Sequence, residues 1–216
     1  MENKSFSKYN HANPVIVKIL SEMDIKNPKI LDVGCWTGAL GKIVKAKVPA
    51  EFDGIDNNED VVKTATAHGY RRIYLFELNT ADNIKTIADT YDVVVCGDVL
   101  EHVVDPSAVL GRLKEKTKKH GYIIVSLPNI GFILYRLLHL IGRWEYREKG
   151  VMDKTHVRFF TLKTMKELFL ENDLTIEYTT GLNVVRNRYA FLRLLGTIWP
   201  SMFAIQIVFL LKKKAI

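Results

Sequence analysis

The chain has 216 residues, 48% hydrophobic and 25% charged, with a formal net charge of +7. That length and mix suit one globular domain with a real core and exclude a disordered or low-complexity chain. Two cysteines exclude a disulfide framework, and basic residues spread along the chain match no nucleic-acid-binding module. The N-terminal Met-Glu-Asn-Lys-Ser-Phe-Ser lacks the apolar run of a signal peptide, so a cytoplasmic location is expected.

The first predicted strand covers 30–33, an apolar run with Asp32 inside it. It breaks at Gly34, and Gly38 precedes a helical pattern at Leu40, Ile43 and Val44. Strand, glycine turn and helix together let backbone N–H groups approach a ligand at a helix N-terminus. The ligand is not a dinucleotide, because the fingerprint glycines would fall at Gly34, Trp36 and Ala39. An acid in the strand would repel a pyrophosphate and suits a cationic ligand. A second strand, 52–56, ends in Asp56, and a helix at 59–68 turns Val61, Val62 and Ala65 inward. Strands at 72–78, with Glu77 at its end, and at 91–96 follow.

Asp105 caps a helix that begins at Pro106, buries Val109, Leu110 and Leu113, and is ended by Gly121. Lysines in 114–119 read as its solvated face. Residues 122–127 form another continuous apolar strand, and runs of this kind fit a parallel sheet covered on both faces. Residues 129–149 are amphipathic, with Phe132, Ile133, Leu137, Leu138 and Ile141 among Arg136, Arg143 and Arg147. Thr161 caps a helix bearing Leu162, Met165, Leu168 and Phe169, and strands at 174–178 and 203–211 close the count at seven. The run 194–211 approaches the ~20 apolar residues that span a bilayer. Gly196, Thr197, Pro200, Ser201 and Gln206 interrupt it, so it reads as a loop and a strand.

The stretch Ile-Leu-Asp-Val-Gly-Cys-Trp-Thr-Gly-Ala-Leu-Gly at 30–41 resembles motif I of the S-adenosylmethionine-dependent methyltransferases with a Rossmann-like fold. Trp36 stands where that family usually has glycine. Residues 97–106 are similar to the Glu-His-Val-x-Asp-Pro stretch of many small-molecule methyltransferases. Residues 126–129, 142–146 and 153–161 look like a subgroup that includes MetW-like proteins, which often accompany surface-glycan and lipid pathways. The resemblance implies an α/β fold, a three-layer α/β/α sandwich around a seven-stranded, mostly parallel sheet with the last strand antiparallel. It implies one domain over 1–216. An N-terminal lid or helix is expected at 1–27, with Tyr9, His11 and Asn13, and an acceptor-side insertion at 129–160.

The implied activity is methyl transfer from S-adenosylmethionine, leaving S-adenosylhomocysteine, to an oxygen or nitrogen of a small-molecule, glycan or lipid-linked acceptor. No nucleic acid and at most peripheral membrane contact are expected. The alternative is a non-catalytic S-adenosylmethionine-binding regulatory or partner subunit. The implied cofactor residues are Asp32, Gly34, Cys35, Gly38, Asp56, Asn57, Glu77, Leu78, Gly97 and Asp98. Asp32 would favour the ammonium, Asp56 the ribose hydroxyls and Glu77 the adenine amino group, with Leu78 against the ring. His102 is the candidate general base, and a hydrogen-bonding role in its turn stands beside that reading. A third reading gathers Asp98, Glu101, His102 and His156 around a divalent ion. It is not the preferred one, since both acids also suit a helix start.

Overall fold

The computed structural model describes residues 12–182 and 190–214. Seven strands hydrogen-bond in the order β3-β2-β1-β4-β5-β7-β6. They are β1 (Lys29–Val33), β2 (Glu51–Asp56), β3 (Tyr70–Leu75), β4 (Tyr91–Gly97), β5 (Thr117–Pro128), β6 (Leu174–Leu182) and β7 (Gln206–Lys213). β1 pairs in parallel with β2 and β4, and β2 with β3, whereas β6 and β7 are antiparallel. The α-helices are α1 (Pro14–Glu22), α2 (Ala39–Lys45), α3 (Val62–Ala67), α4 (Pro106–Lys116), α5 (Ile133–Leu140), α6 (Leu162–Glu171), α7 (Ala190–Ile198) and α8 (Pro200–Phe203). By internal contacts the chain divides into two units, Met1–Gly97 with Arg112–Ile123 and Asp98–Gly111 with Ile124–Ile216.

In the first unit, Ile30, Leu31 and Val33 of β1, Phe52 and Ile55 of β2, and Val93 to Cys96 of β4 are buried. Burying each large side chain contributes ~1.5–3 kcal/mol. The expected helix at 59–68 is a 3-10 turn, Glu59–Val61, followed by the short α3, with Val61 and Ala65 buried and Val62 only half-buried. Gly69, at φ 86°, turns the chain so that β3 starts at Tyr70 and ends at Leu75, earlier than expected. Glu77 and Leu78 therefore lie beyond the strand, in a turn closed by Thr80 N–H donating to the Glu77 carbonyl. Gly121 does not end α4. It lies inside β5, where a Cβ would come within 2.7 Å of the Asp92 carbonyl. Lys116 is not a solvated charge either, because its Nζ donates to the Lys85 and Ile87 carbonyls. Asp53 is fully buried and accepts from Arg71 and from the Tyr91 hydroxyl.

In the second unit, the later half of β5, β7 and α6 form the core, with Phe169 and Phe209 edge-to-face at 4.9 Å. Thr161 and Thr164 form a capping box at the start of α6. The run 194–211 departs from the expected loop: α7 and α8 occupy 190–203, and the strand begins only at Gln206. Pro200 sits in the first turn of α8, so Trp199-Pro200 joins two helices. Packing of α7 on β6 requires Gly181, where a Cβ would collide with the Gly196 carbonyl. No helix among the described residues is long and apolar enough to cross a membrane. In the amphipathic stretch 129–149 only α5 is regular helix. Asn13 caps α1, while Tyr9 and His11 of the expected lid lie outside the described residues.

Candidate active site

The β1–α2 loop of the first unit carries three left-handed residues in alternation, Gly34 (φ 68°), Trp36 (φ 47°) and Gly38 (φ 75°). The Gly34 and Cys35 N–H groups both donate to the Ile55 carbonyl, at 2.8 and 3.0 Å. Trp36 is one of only four non-glycine residues at positive φ among those described. Its N–H donates to Asp56 Oδ2 at 2.8 Å, and Asn58 N–H donates to Asp56 Oδ1 at 3.0 Å. Asp56 thus pins the glycine loop to its own turn. A carboxylate oxygen offers two lone pairs, so each oxygen keeps room for a ligand hydroxyl.

Asp32 is buried and faces Gly54 and Val95 on the neighbouring strands. Tyr70 donates its hydroxyl to Asp32 Oδ2 at 2.5 Å and accepts the Gly41 N–H at 3.1 Å. Its ring fills the space beside Gly38, where a Cβ would come within 2.7 Å of the ring and 3.0 Å of the Ala65 Cα. Burial lifts the Asp32 carboxyl from 3.8 to about 7; the Tyr70 hydroxyl opposes this rise and Asp56 adds to it. Burial, with Asp32 and Asp56 nearby, pushes the Cys35 thiol up, so Cys35 packs as a neutral side chain. Asn57 Nδ2 donates to Glu77 Oε1 at 2.8 Å, which ties the ends of β2 and β3 together. Leu78 and Gly97 are half-buried.

Two residues of this unit escape sequence reading. Tyr70 orients Asp32, and His68 donates from Nδ1 to the Thr37 carbonyl at 2.7 Å. Both are contributed from more than 30 residues away in sequence.

The second unit holds the remaining candidates. Asp98, at φ 56°, accepts from Ser126 Oγ at 3.0 Å and from Gln206 Nε2. Glu101, in the 3-10 turn Leu100–His102, is 1% exposed, and its Oε2 has no hydrogen-bond partner. Burial, then Asp98 and Asp153, hold its carboxyl well above the usual range. His102 Nδ1 pairs with the Thr155 carbonyl at 3.1 Å and His156 Nδ1 with the Val151 carbonyl at 3.0 Å. A carbonyl only accepts, so both Nδ1 atoms carry the proton, and in the neutral ring each Nε2 offers a lone pair. Burial draws the His156 ring below its ordinary value, favouring the neutral form. The ligating atoms of Glu101, His102 and His156 all lie within 4.8 Å of one another. Asp98 is not in that group.

Backbone bonds set this geometry. Val157 and Arg158 N–H groups donate to the Glu101 carbonyl at 2.9 and 3.0 Å, and the Arg158 guanidinium donates to the Val104 carbonyl. Asp153 Oδ1 accepts from Thr155 N–H and its hydroxyl, shaping the loop that presents His156. Asp105 caps α4, and Glu101 lies in the first turn of the 3-10 helix, which has no side-chain cap. A row of rings leads from this group: His156 and Phe159 at 6.3 Å, Phe159 and Trp144 at 5.2 Å, and Trp144 stacked on His139 at 4.3 Å.

The chain is 30% identical over 186 residues to the ubiquinone biosynthesis O-methyltransferase of Thiobacillus denitrificans, covering 83% of this chain and 79% of that one. It is 30% identical over 140 residues to the same-named protein of Hydrogenovibrio crunogenus, covering 63% of this chain and 58% of that one. Among solved structures, a methyltransferase from Archaeoglobus fulgidus aligns with a TM-score of 0.62 at 18% identity, over 98% of this chain and 100% of that one. Magnesium protoporphyrin IX methyltransferase from Synechocystis, solved with bound S-adenosylhomocysteine, aligns with the same score and identity over 93% and 81%. At such identities the likeness is one of fold. A family model described as a methyltransferase domain matches residues 8–179, and the chain belongs to that family as an S-adenosylmethionine-dependent methyltransferase.

Proposed function

We propose that this methyltransferase acts on a hydroxyl oxygen of a ring-bearing small molecule, and that Glu101, His102 and His156 form a divalent-cation centre that prepares the oxygen. The observation that carries the reading is the buried Glu101 carboxyl, one oxygen of which has no hydrogen-bond partner, grouped with a ligating atom of each of His102 and His156. An unpaired buried polar atom costs ~1–3 kcal/mol, and the turn gains no cap in return. Each histidine holds its Nδ1 proton on a backbone carbonyl, a partner that metal-ligating histidines commonly have, and this supports the reading. A bound cation supplies a Lewis acid that lowers the pKa of a coordinated hydroxyl.

The donor set of the first unit fits S-adenosylmethionine. Asp32 offers a buried carboxylate to an ammonium, and Asp56 offers unused lone pairs to two ribose hydroxyls. The exposed Gly34 leaves the loop backbone open to the methionine portion. Asn57 and Glu77 present an amide and a carboxylate to the adenine edge, with Leu78 beside them. When bound, the cofactor supplies an activated methyl, and the chain's own task is to orient, exclude water and receive a proton. A phenol-like hydroxyl holds its proton until ~10, so the acceptor needs such help near neutrality.

The printed name of the relatives, ubiquinone biosynthesis O-methyltransferase, supports an oxygen acceptor. The aromatic row from His156 to His139 supports one with a flat ring. The test is transfer of labelled methyl to an alkyl catechol by metal-stripped protein. Activity should vanish on chelation, return with magnesium or manganese, and fail to return in Glu101→Gln. Activity that ignores chelation would leave His102 as a plain general base and remove the cation centre.

A further inference from the structure

We infer that His68 is a positioning residue for the cofactor: its imidazole holds the Thr37 carbonyl and thereby fixes the β1–α2 loop in the shape that receives S-adenosylmethionine. This rests on the loop taking the methionine portion and does not depend on the cation centre. The loop is costly to hold. Gly34, Trp36 and Gly38 alternate at positive φ, and Trp36 brings a bulky side chain to a conformation that suits glycine. A strained turn persists only when its surroundings over-determine it. Asp56 takes the Trp36 N–H at 2.8 Å, and the Gly38 N–H closes on the Cys35 carbonyl at 2.8 Å. Between them the Thr37 carbonyl accepts from His68 Nδ1 at 2.7 Å. Thr37 is buried, which makes a bond lost there costly.

The imidazole itself has a firm base. His68 closes α3, and its N–H donates to the Thr64 and Ala65 carbonyls at 3.0 and 3.1 Å. The next two residues grip the same region. The Gly69 carbonyl accepts from Lys45 Nζ at 2.8 Å, and the Tyr70 hydroxyl accepts the Gly41 N–H at 3.1 Å. Three consecutive residues therefore fasten positions 37, 41 and 45, spaced by four so that they run along one side of α2. Gly41 and Lys45 belong to the helix, whereas Thr37 belongs to the ligand loop. The chemistry of the ligand gives the bond its purpose. A methionine portion carries a carboxylate beside its ammonium, and a carbonyl turned toward a carboxylate repels it. A carbonyl committed to an imidazole N–H does not swing that way, and a loop already held in shape loses little freedom on binding.

The test is titration calorimetry with S-adenosylhomocysteine on native protein, His68→Leu and His68→Asn, with circular dichroism on the same samples. Asparagine Nδ2 stands where the imidazole has Nδ1 and donates the same bond; leucine fills the space and donates nothing. His68→Leu should bind ~3–10-fold more weakly, the range for one hydrogen bond, with a native spectrum. His68→Asn should recover most of the affinity. A residue that only closes α3 would lower the thermal midpoint and leave the affinity of the folded protein unchanged, and that result would overturn the inference. Equal weakening in both variants would overturn it as well, because the donated bond would then not be the cause. Asp56→Ala, measured beside them, separates this role from the loop reading. Weakened binding there with native affinity in His68→Leu removes His68 alone, while native affinity in both removes the loop.

Discussion

Asp32 should make cofactor affinity depend on pH close to neutrality. Its carboxyl is raised to about 7, first by burial and further by Asp56, against the hydroxyl of Tyr70, with the neutral Cys35 thiol adjacent in the loop. If the ammonium of S-adenosylhomocysteine is held by the ionised form, affinity follows the ionised fraction. For a group at about 7 that fraction is ~0.9 at about pH 8 and ~0.1 at about pH 6. Affinity should therefore weaken ~10-fold over that range, or about 1.4 kcal/mol. Titration calorimetry at both pH values measures it. Asp32→Asn keeps the shape and removes the titration, so its affinity should be weaker at high pH and nearly flat; ionisation of the ligand's own amine is common to both proteins. The same group sets a stability slope. Between about 4 and 7 the folded state keeps a proton that the unfolded chain has lost, so stability falls as pH rises, by at most about 4 kcal/mol. The thermal midpoint should drop on going from acid to neutral pH in the native protein, and less in Asp32→Asn. Identical pH profiles of affinity in the two proteins would refute the role given to Asp32.

Asp56→Ala removes the acceptor of the Trp36 and Asn58 N–H groups, and should weaken S-adenosylhomocysteine binding by ~1–3 kcal/mol in calorimetry. Gly38→Ala places a Cβ against the Tyr70 ring in a left-handed conformation. It should cost ~2–4 kcal/mol and lower the thermal midpoint by ~5–15 °C in circular dichroism. An unchanged midpoint would mean that the ring moves aside freely. Tyr70→Phe should raise the Asp32 carboxyl further, moving the midpoint of the affinity-against-pH profile upward while the loop stays folded.

Much of this arrangement is legible in the residues. The strand–glycine–helix pattern locates the β1–α2 loop, and Asp32 and Asp56 lie at strand positions where the pattern puts them. Local signals serve well when they are local: Asp105 and Thr161 cap the helices expected of them. Errors arise where a distant partner decides. Gly121 looks like a helix stop, but its lack of a side chain answers the Asp92 carbonyl across the sheet. The strand at 70–75 begins early because Tyr70 packs against Gly38 and bonds Asp32, a link of 38 residues. The start of the run at 194 reads as a loop, but Gly181 admits Gly196 and α7 packs there as helix. Asp98 illustrates the same limit at the site: its spacing to Glu101 suits a shared face, yet its carboxylate is bonded by Ser126 and Gln206 and does not join the group of Glu101 and the two histidines.

The central claim, that the chain is a methyltransferase whose oxygen acceptor is prepared at Glu101, His102 and His156, is tested most directly by separating binding from turnover. Transfer of a labelled methyl group to an alkyl catechol is followed by mass spectrometry for native protein, Glu101→Gln and His102→Ala, with S-adenosylhomocysteine affinity measured on the same samples. The account predicts a labelled methyl ether from the native protein. It predicts turnover lower by ~10²–10⁴-fold in both variants, with affinity unchanged because neither side chain is among the proposed cofactor residues. Native-level turnover by either folded variant would contradict it.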